Sequence, residues 1–281
     1  MYIVLGASGN IGSAVVNHLS ATREKVIGVL HSRGHANDLS RKNVEPVMVD
    51  VNDVDALRAV LKRGTRALLL NPPAAPSSDT NAVELASARS IAAALENSGL
   101  EKVVVVSTYG AQPGDGIGDL SVLYEFEQLV EATGIPAAIN RGAYYFTNLD
   151  MLLDPAASGT LPTAFPAEMK LPMVSPADLG KAAAERVMSP VDDVGIQYVE
   201  GPARYSFNDV AAVVAKRVGK PVKVARTPRD QWVESFKSVG FSPEAAKAYA
   251  RMTGATIDNP QTPDEPQRGT VTLEDYVAGL K

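Results

Sequence analysis

The sequence of 281 residues contains no cysteine, which excludes disulfides, thiolate nucleophiles and cysteine-ligated metals. Its three histidines, His18, His31 and His35, all lie in the first half, so a histidine-based triad or metal centre in the second half is also excluded. No apolar run approaches the roughly 20 residues of a membrane span, and the start lacks the pattern of a secretory signal. We therefore expect a cytoplasmic protein with no membrane segment and no metal.

Positively charged residues are also fewer than negatively charged ones. The chain has 27 lysines and arginines against 32 aspartates and glutamates, which gives a formal net charge of −5. This balance provides no broad basic face that would attract nucleic acid or an anionic membrane. Hydrophobic residues make up 45% of the chain, as is ordinary for a globular protein. Composition therefore gives no reason to expect nucleic acid as a partner.

Short β-branched runs alternate with helical patterns through the first half of the chain. Runs such as Val103–Val106 are apolar throughout, as is typical of strands covered on both faces. The alternation predicts the α/β class, with a Rossmann-type parallel sheet and helices on both of its faces. Residues 1–142 are expected to form this domain, completed by part of 174–201. Residues 143–281 are expected to form a smaller, mainly helical substrate-capping domain, with Met151–Met173 mostly as loop.

A glycine-rich turn follows the first predicted strand, with glycines at intervals of three just before an amphipathic helix. Glycines here let the chain turn sharply and let its backbone approach a pyrophosphate, while the N-terminus of the helix receives the anion. We interpret the turn as the diphosphate-binding loop of a dinucleotide site; a merely structural turn is the alternative. The residues predicted to contact the cofactor are Gly6, Ser8, Gly9, Asn10, Ile11 and Gly12.

The end of the second predicted strand indicates which dinucleotide is bound. A site for NAD usually carries an aspartate or glutamate there that binds the ribose 2′-hydroxyl. In this sequence the strand runs into His31-Ser32-Arg33. An arginine with two hydrogen-bonding neighbours suits a 2′-phosphate. We therefore predict NADP(H), with NAD(H) as the alternative if Arg33 is only a solvated loop residue.

Three later strand ends supply further candidate cofactor contacts. Asp50-Val51 ends the third strand, where the carboxylate either accepts from an adenine amino group or caps the next helix. Asn71-Pro72-Pro73 ends the fourth, either beside the ribose next to the nicotinamide or as an ordinary proline stop. Ser107-Thr108 ends the fifth beside the expected nicotinamide. Ser107 is predicted to contact the cofactor and Thr108 the substrate, unless the two residues only cap the loop.

The stretch Asn140-Arg141-Gly142-Ala143-Tyr144-Tyr145-Phe146-Thr147-Asn148 resembles the Arg-Pro-Gly-Phe-Phe-x-x-Asn stretch of the NmrA-like family, with Gly142 in place of proline. That family is an atypical branch of the short-chain dehydrogenase/reductases. The opening glycine motif, Val174–Met188 and Tyr198–Lys220 are similar as well. The resemblance implies a substrate cleft between a Rossmann domain and a small C-terminal domain. It is closest to bacterial NADPH-dependent quinone reductases.

The usual proton-transfer pair of short-chain dehydrogenases is missing from the sequence. No tyrosine is followed four residues later by lysine, and the nearest case is Tyr124 with Gln128. The NmrA-like resemblance places a frequent lysine at the position of Leu123. Tyr109 and Tyr124 are therefore only weak catalytic candidates.

The acceptor side is predicted to include Thr108, Tyr109, Tyr144 and Asn148. Five aromatic rings either form an apolar wall for a planar acceptor or pack in the core, those of Tyr109, Tyr124, Tyr144, Tyr145 and Phe146. Asn148 either bonds across the cleft or anchors its loop.

Two functions fit these features. The first is an NADPH-dependent reductase that transfers hydride to a quinone or a similar small acceptor, for which a strong protein acid is not essential. The second is a non-catalytic NADP(H) sensor that acts through a protein partner, which the missing lysine favours. A homodimer is compatible with either.

Overall fold

The computed structural model describes residues 1–31 and 43–280. In the part of the chain that it describes, the strands are β1 (Tyr2–Val4), β2 (Val26–Leu30), β3 (Val44–Met48), β4 (Arg66–Leu69), β5 (Lys102–Thr108), β6 (Ala137–Gly142), β7 (Tyr144–Tyr145), β8 (Thr160–Thr163), β9 (Leu171–Val174), β10 (Gly195–Glu200), β11 (Arg204–Tyr205), β12 (Lys223–Arg226) and β13 (Gln267–Arg268). The α-helices are α1 (Asn10–Ala21), α2 (Val54–Leu61), α3 (Thr80–Leu95), α4 (Asp119–Glu131), α5 (Leu153–Ala157), α6 (Pro176–Met188), α7 (Phe207–Val218), α8 (Trp232–Ser238), α9 (Pro243–Asp258) and α10 (Leu273–Gly279), with 3₁₀ helices at Phe146–Leu152 and Arg229–Gln231.

Eight strands form one sheet in the order β13-β10-β6-β5-β4-β1-β2-β3, and every neighbouring pair is parallel. The chain starts in the middle at β1, proceeds to β3 at one edge, and then returns to β4 on the other side of β1. This reversal creates a crevice at the carboxyl ends of β1 and β4, where ligands bind in open α/β sheets. The predicted fold class is confirmed.

Helices cover both faces of this sheet. One face buries residues of α1 and α6, including Val15, Leu19 and Leu179, in a common core with β1 and β5. The opposite face buries residues of α2, α3 and α4, including Leu57 and Ile91, in a second core. Because both faces are covered, the central strands have apolar side chains on each side, and Val103, Val104 and Val105 are fully buried.

The chain returns to the sheet after residue 142. Strand β10 pairs with β6, as predicted for part of 174–201, and β13 from the C-terminal segment adds the edge strand. Three helices of this half are capped by Ser175, Ser206 and Ser242, because each serine side chain accepts a hydrogen bond from the backbone N–H of the third residue after it. The later sequence thus completes the Rossmann sheet as well as forming a separate layer. The domain boundary at residue 142 stays a prediction.

The prediction that Met151–Met173 is mostly loop is wrong. The segment ends a 3₁₀ helix and then forms α5, β8 and the start of β9. Its strands are fixed by distant partners, because β8 pairs with β12 and β9 pairs with β7 and β11. A third core with Phe146, Leu161, Phe207 and Leu273 lies beneath these strands. The local abundance of proline and alanine concealed these pairings.

Candidate cofactor and acceptor site

The Gly6–Gly12 loop lies at the reversal point of the sheet, between β1 and α1. Gly6 has a φ of +63°, which favours glycine. A Cβ on Gly12 would lie 2.1 Å from the carbonyl oxygen of Gly6, so a side chain there would force the loop apart. The sequence at this turn therefore has glycine where the backbone folds closely on itself.

The N-terminus of α1 is open to a ligand. Gly9 is its N-cap and provides no side-chain cap, and the first turn contains no acidic residue. Ser8, Gly9 and Asn10 are exposed, whereas Ile11 and Gly12 are buried. Free backbone N–H groups at the positive end of a helix can donate hydrogen bonds to a diphosphate without displacing a protein group. The residues present fit a dinucleotide diphosphate.

The second strand ends at Leu30 and is followed by the exposed residue His31. Ser32 and Arg33 lie outside the described residues, so the predicted 2′-phosphate contacts stay predictions. Asp50 closes a turn by accepting hydrogen bonds from the backbone and side-chain nitrogens of Asn52, at 2.9 and 3.1 Å. Asp53, not Asp50, caps α2. Of the two roles weighed for Asp50, helix capping is therefore excluded, and the adenine contact for Asp50-Val51 stays a prediction.

The loop after β4 is bound to α3. The side-chain nitrogen of Asn71 donates to the backbone oxygen of Glu84 at 3.0 Å, and the backbone nitrogen of Ala74 donates to Glu84 Oε1 at 2.8 Å. Pro72 and Pro73 lie between these two contacts and contribute no N–H donor. Asn71 Oδ1 is buried without a hydrogen-bond partner in the described part of the chain. One polar atom at this strand end is thus left for a ligand or water.

Ser107 belongs to a buried group that the sequence did not indicate. Its hydroxyl donates to Glu127, whose two carboxylate oxygens accept from Arg141 at 2.9 and 2.6 Å. Glu127 is 1% exposed and Arg141 is 8% exposed. The group joins β5, α4 and β6 beneath the carboxyl edge of the sheet. The hydroxyl proton of Ser107 is used inside the protein, and the predicted cofactor contact of this residue stays a prediction.

Tyr109 packs edge-on against Tyr198, with ring centroids 5.1 Å apart. Its hydroxyl lies 3.5 Å from Glu200 Oε2, a fully buried carboxylate that Arg204 and Arg268 also contact. Burial and the nearby charge of Glu200 raise the pKa of the Tyr109 phenol. Tyr109 is therefore a weak acid whose hydrogen bond is directed into the fold.

The other candidate acceptor residues occupy different surroundings. Tyr144 packs against Phe165 and Phe207 in the third core, and burial raises the pKa of its hydroxyl to about 12. Tyr124 is half-buried on α4, on the helix face shared by Leu120 and Glu127. Thr108 donates to the carbonyl of Tyr109 at 3.3 Å, and Asn148 is exposed on a 3₁₀ helix. The structure does not bring these side chains together into one bonded group.

A second group of polar side chains at the same edge was missed, a pair of carboxyl groups of which Glu84 is buried and Asp119 is half-buried. The carboxyl groups of Glu84 on α3 and Asp119 on α4 lie within hydrogen-bonding reach of each other. Burial, followed by the charge of Asp119, raises the pKa of Glu84 to about 8, and burial raises the pKa of Asp119. The available sequence clue was a glutamate on the helix face that also carries Ser87, Ala88 and Ile91, all of them buried.

Residues 1–31 and 43–280 contain no group of three or more acidic or histidine side chains arranged to hold a metal ion. None of the helices described there has the length and apolar character needed to cross a bilayer.

Comparison with known proteins gives a family match over nearly the whole chain. The model of the NmrA-like family matches residues 2–264. An NAD(P)H azoreductase of Xenophilus azovorans is 22% identical over 255 residues, covering 90% of this chain and 86% of the relative. A nitrogen metabolite regulation-like protein, bik4, of Gibberella fujikuroi is 26% identical over 309 residues, covering 96% and 90% of the two chains.

A solved structure shows the same fold. The NADPH-dependent quinone oxidoreductase QOR2 of Escherichia coli, complexed with NADPH, superposes with a TM-score of 0.81 at 20% identity and covers 99% of each chain. At this identity the likeness shows the fold.

Proposed function

Because the chain belongs to the NmrA-like family, we propose that it is an NADPH-dependent reductase that transfers hydride to a quinone or a similar small planar acceptor. The observation that carries the proposal is the Gly6–Gly12 cradle at the uncapped N-terminus of α1. The cradle lies at the reversal point of the sheet, which is the ligand crevice of this fold class. The NADPH in QOR2 and the azoreductase name of another relative support the same reading.

On this proposal, the glycine loop holds the diphosphate through backbone N–H groups. Asn10, Ile11 and Gly12 begin α1 and direct its positive end toward the phosphates. His31, Ser32 and Arg33 follow β2 and are the residues proposed to receive the 2′-phosphate, with Arg33 providing a bidentate cation. A bound reduced nicotinamide would supply the hydride.

The acceptor would lie beyond β5 and β6, next to Thr108, Tyr109 and Tyr145. Aromatic rings there exclude water and orient a flat molecule. The raised pKa of Tyr109 keeps its phenol neutral, so this residue is assigned an orienting role. We also propose that the protein is cytoplasmic. We further propose that it either forms a homodimer or binds a protein partner.

The alternative is a non-catalytic NADP(H) sensor. It is favoured by the 26% identical relative named as regulation-like and by the absence of Tyr-x-x-x-Lys from the whole sequence. A sensor would distinguish oxidised from reduced cofactor, or change its affinity for a partner with cofactor occupancy.

The two functions are separated by measuring NADPH oxidation with a panel of quinones and azo compounds, alongside NADPH affinity by fluorescence titration. A reductase consumes NADPH in proportion to at least one acceptor. The Gly279→Ala variant, altered where no atom lies within 4 Å of the added Cβ, should retain the wild-type rate. Tight NADPH binding with no oxidation by any acceptor would reject the reductase and favour the sensor.

A further inference from the structure

The proposed hydride transfer does not use the pair of carboxyl groups formed by Glu84 and Asp119. Glu84 is 6% exposed, and its carboxyl accepts from the backbone nitrogen of Ala74. Asp119 is the first residue of α4, and its carboxyl is within hydrogen-bonding reach of Glu84. Two carboxylates this close repel each other strongly when both are charged, so such a pair retains a shared proton.

The position of the pair is set by two neighbouring crossovers. Ala74 follows β4, Asp119 follows β5, and these two strands are adjacent in the sheet. The glycine loop follows β1, which is the other neighbour of β4. The pair therefore lies off the carboxyl edge of the sheet, one strand interval away from the proposed diphosphate cradle and on the proposed acceptor side.

Two unpaired polar atoms mark a place for a further molecule beside the pair. Thr80 is 2% exposed and its hydroxyl oxygen has no hydrogen-bond partner in the described part of the chain. Thr80 lies one turn before Glu84, on the same face of α3. Asn71, which donates to the backbone of Glu84, has its Oδ1 buried and without a partner. Buried polar atoms are rarely left unsatisfied, so this arrangement points to water or ligand next to the carboxyl groups.

The surroundings of the pair keep its proton in place. Burial raises the pKa of the Tyr145 phenol on β7 and of the Tyr249 phenol on α9, and the charge of Asp119 raises both further, so the two phenols lie within electrostatic range of the pair. The α9 cations Lys247 and Arg251 line the neighbouring groove together with Asn81. Among the described residues, no cation is found among the groups that shift the pKa of either carboxyl.

We infer that Glu84 and Asp119 form the proton donor of the reductase, an inference that rests on the proposed function. One O–H bond of the pair breaks, and an O–H bond forms on the acceptor, which has gained two electrons with the hydride. The pair is left as two carboxylates and regains a proton from water. Hydride plus this one proton balances the conversion of a quinone to a hydroquinone.

The test compares wild type with Glu84→Gln and Asp119→Asn, using a quinone and then a cationic triphenylmethane dye, whose central carbon takes a hydride to give a neutral product without taking a proton. Both variants should lose quinone reduction by about 100-fold, the usual contribution of a general acid, and retain reduction of the dye. Wild-type kcat with quinone should fall as the pH rises through about 8, and Glu84→Gln should lose this fall. The matched control is Glu125→Gln, which changes an exposed, ion-paired carboxylate on α4, the helix that also carries Asp119.

A second measurement does not depend on turnover. The pKa of Glu84 is higher in the folded protein than its ordinary 4.5, so the folded state binds more protons between that value and about 8. The free energy of unfolding should therefore fall as the pH rises through this window. Melting temperature measured against pH should show this fall in wild type and Glu125→Gln, and a smaller fall in Glu84→Gln.

Three results would overturn the inference. If melting temperature has the same pH dependence in wild type and Glu84→Gln, the pair holds no proton. If that dependence differs but the quinone rate profile does not, the pair only joins α3 to α4, and the proposed reductase function stands. If wild type reduces no acceptor, the proposed function and the inference fail together, which is seen before any variant is compared.

Discussion

The two ends of the candidate cleft differ in the chemical groups that line them, backbone N–H groups at one end and buried side chains at the other. At the Gly6–Gly12 loop the proposed ligand would meet backbone N–H groups, and the neighbouring side chains of Ser8 and Asn10 are exposed. At the edge formed by β4, β5 and β6, buried side chains are bonded to one another, as in Ser107, Glu127 and Arg141. The first end depends on local backbone geometry. The second depends on side chains from α3, α4 and β6 meeting in space.

The largest effect on cofactor binding is expected from Gly12→Ala. Its Cβ would lie 2.1 Å from the carbonyl of Gly6, so the loop must open and lose its phosphate contacts. Losing two charge-assisted hydrogen bonds weakens NADPH binding by about 100-fold or more. Fluorescence titration measures this, with Gly279→Ala as the control for a glycine substitution in open space. Wild-type affinity in Gly12→Ala would show that the loop does not hold the diphosphate.

Arg141→Ala tests the other end of the comparison. It leaves the Glu127 carboxylate, which is 1% exposed, without its cation. Breaking a buried pair in this way costs about 3–5 kcal/mol of unfolding free energy. The exposed pair of Arg89 with Glu125 provides the control, and Arg89→Ala should cost less than about 1 kcal/mol. Denaturation by urea measures both, and equal losses would mean that burial does not distinguish the two pairs.

The smallest effect is expected from Arg33→Ala. If Arg33 contacts the 2′-phosphate, losing one charge-assisted contact lowers the preference for NADPH over NADH by about tenfold. The ratio of the two dissociation constants measures this. Lys62→Ala, which removes an exposed positive charge at the end of α2, should leave the ratio unchanged. An unchanged ratio in Arg33→Ala would show that Arg33 is a solvated loop side chain that does not contact the 2′-phosphate.

The parts of the site that could be predicted are those whose physical requirement is local. Gly6 and Gly12 are needed by a turn of seven residues, and the apolar run at Val103–Val106 reports burial on both faces of its own strand. The role of Asp50 could not be predicted, because Asp53 three residues later is an equally suitable helix cap and takes that position.

Local sequence patterns did not predict the pairings between residues that are distant in the chain. Glu84 and Asp119 are 35 residues apart in the chain, and each alone is an ordinary helix residue. The strand β8 was read as loop because its partner, β12, begins only at Lys223. Such contacts exist only after the helices and strands have packed.

By itself the sequence determined the class of fold, the glycine loop and the lack of a Tyr-x-x-x-Lys pair, because spacing along the chain is enough to specify a βα turn or a helical turn. Only the tertiary structure decided which polar side chains are bonded inside the protein and which carry unpaired atoms. It gave the hydroxyl of Ser107 to Glu127, and it placed Glu84 against Asp119 at the edge of the proposed cleft. The physical reason is that burial and pairing, which set the pKa of a carboxyl group, are created by packing between distant segments.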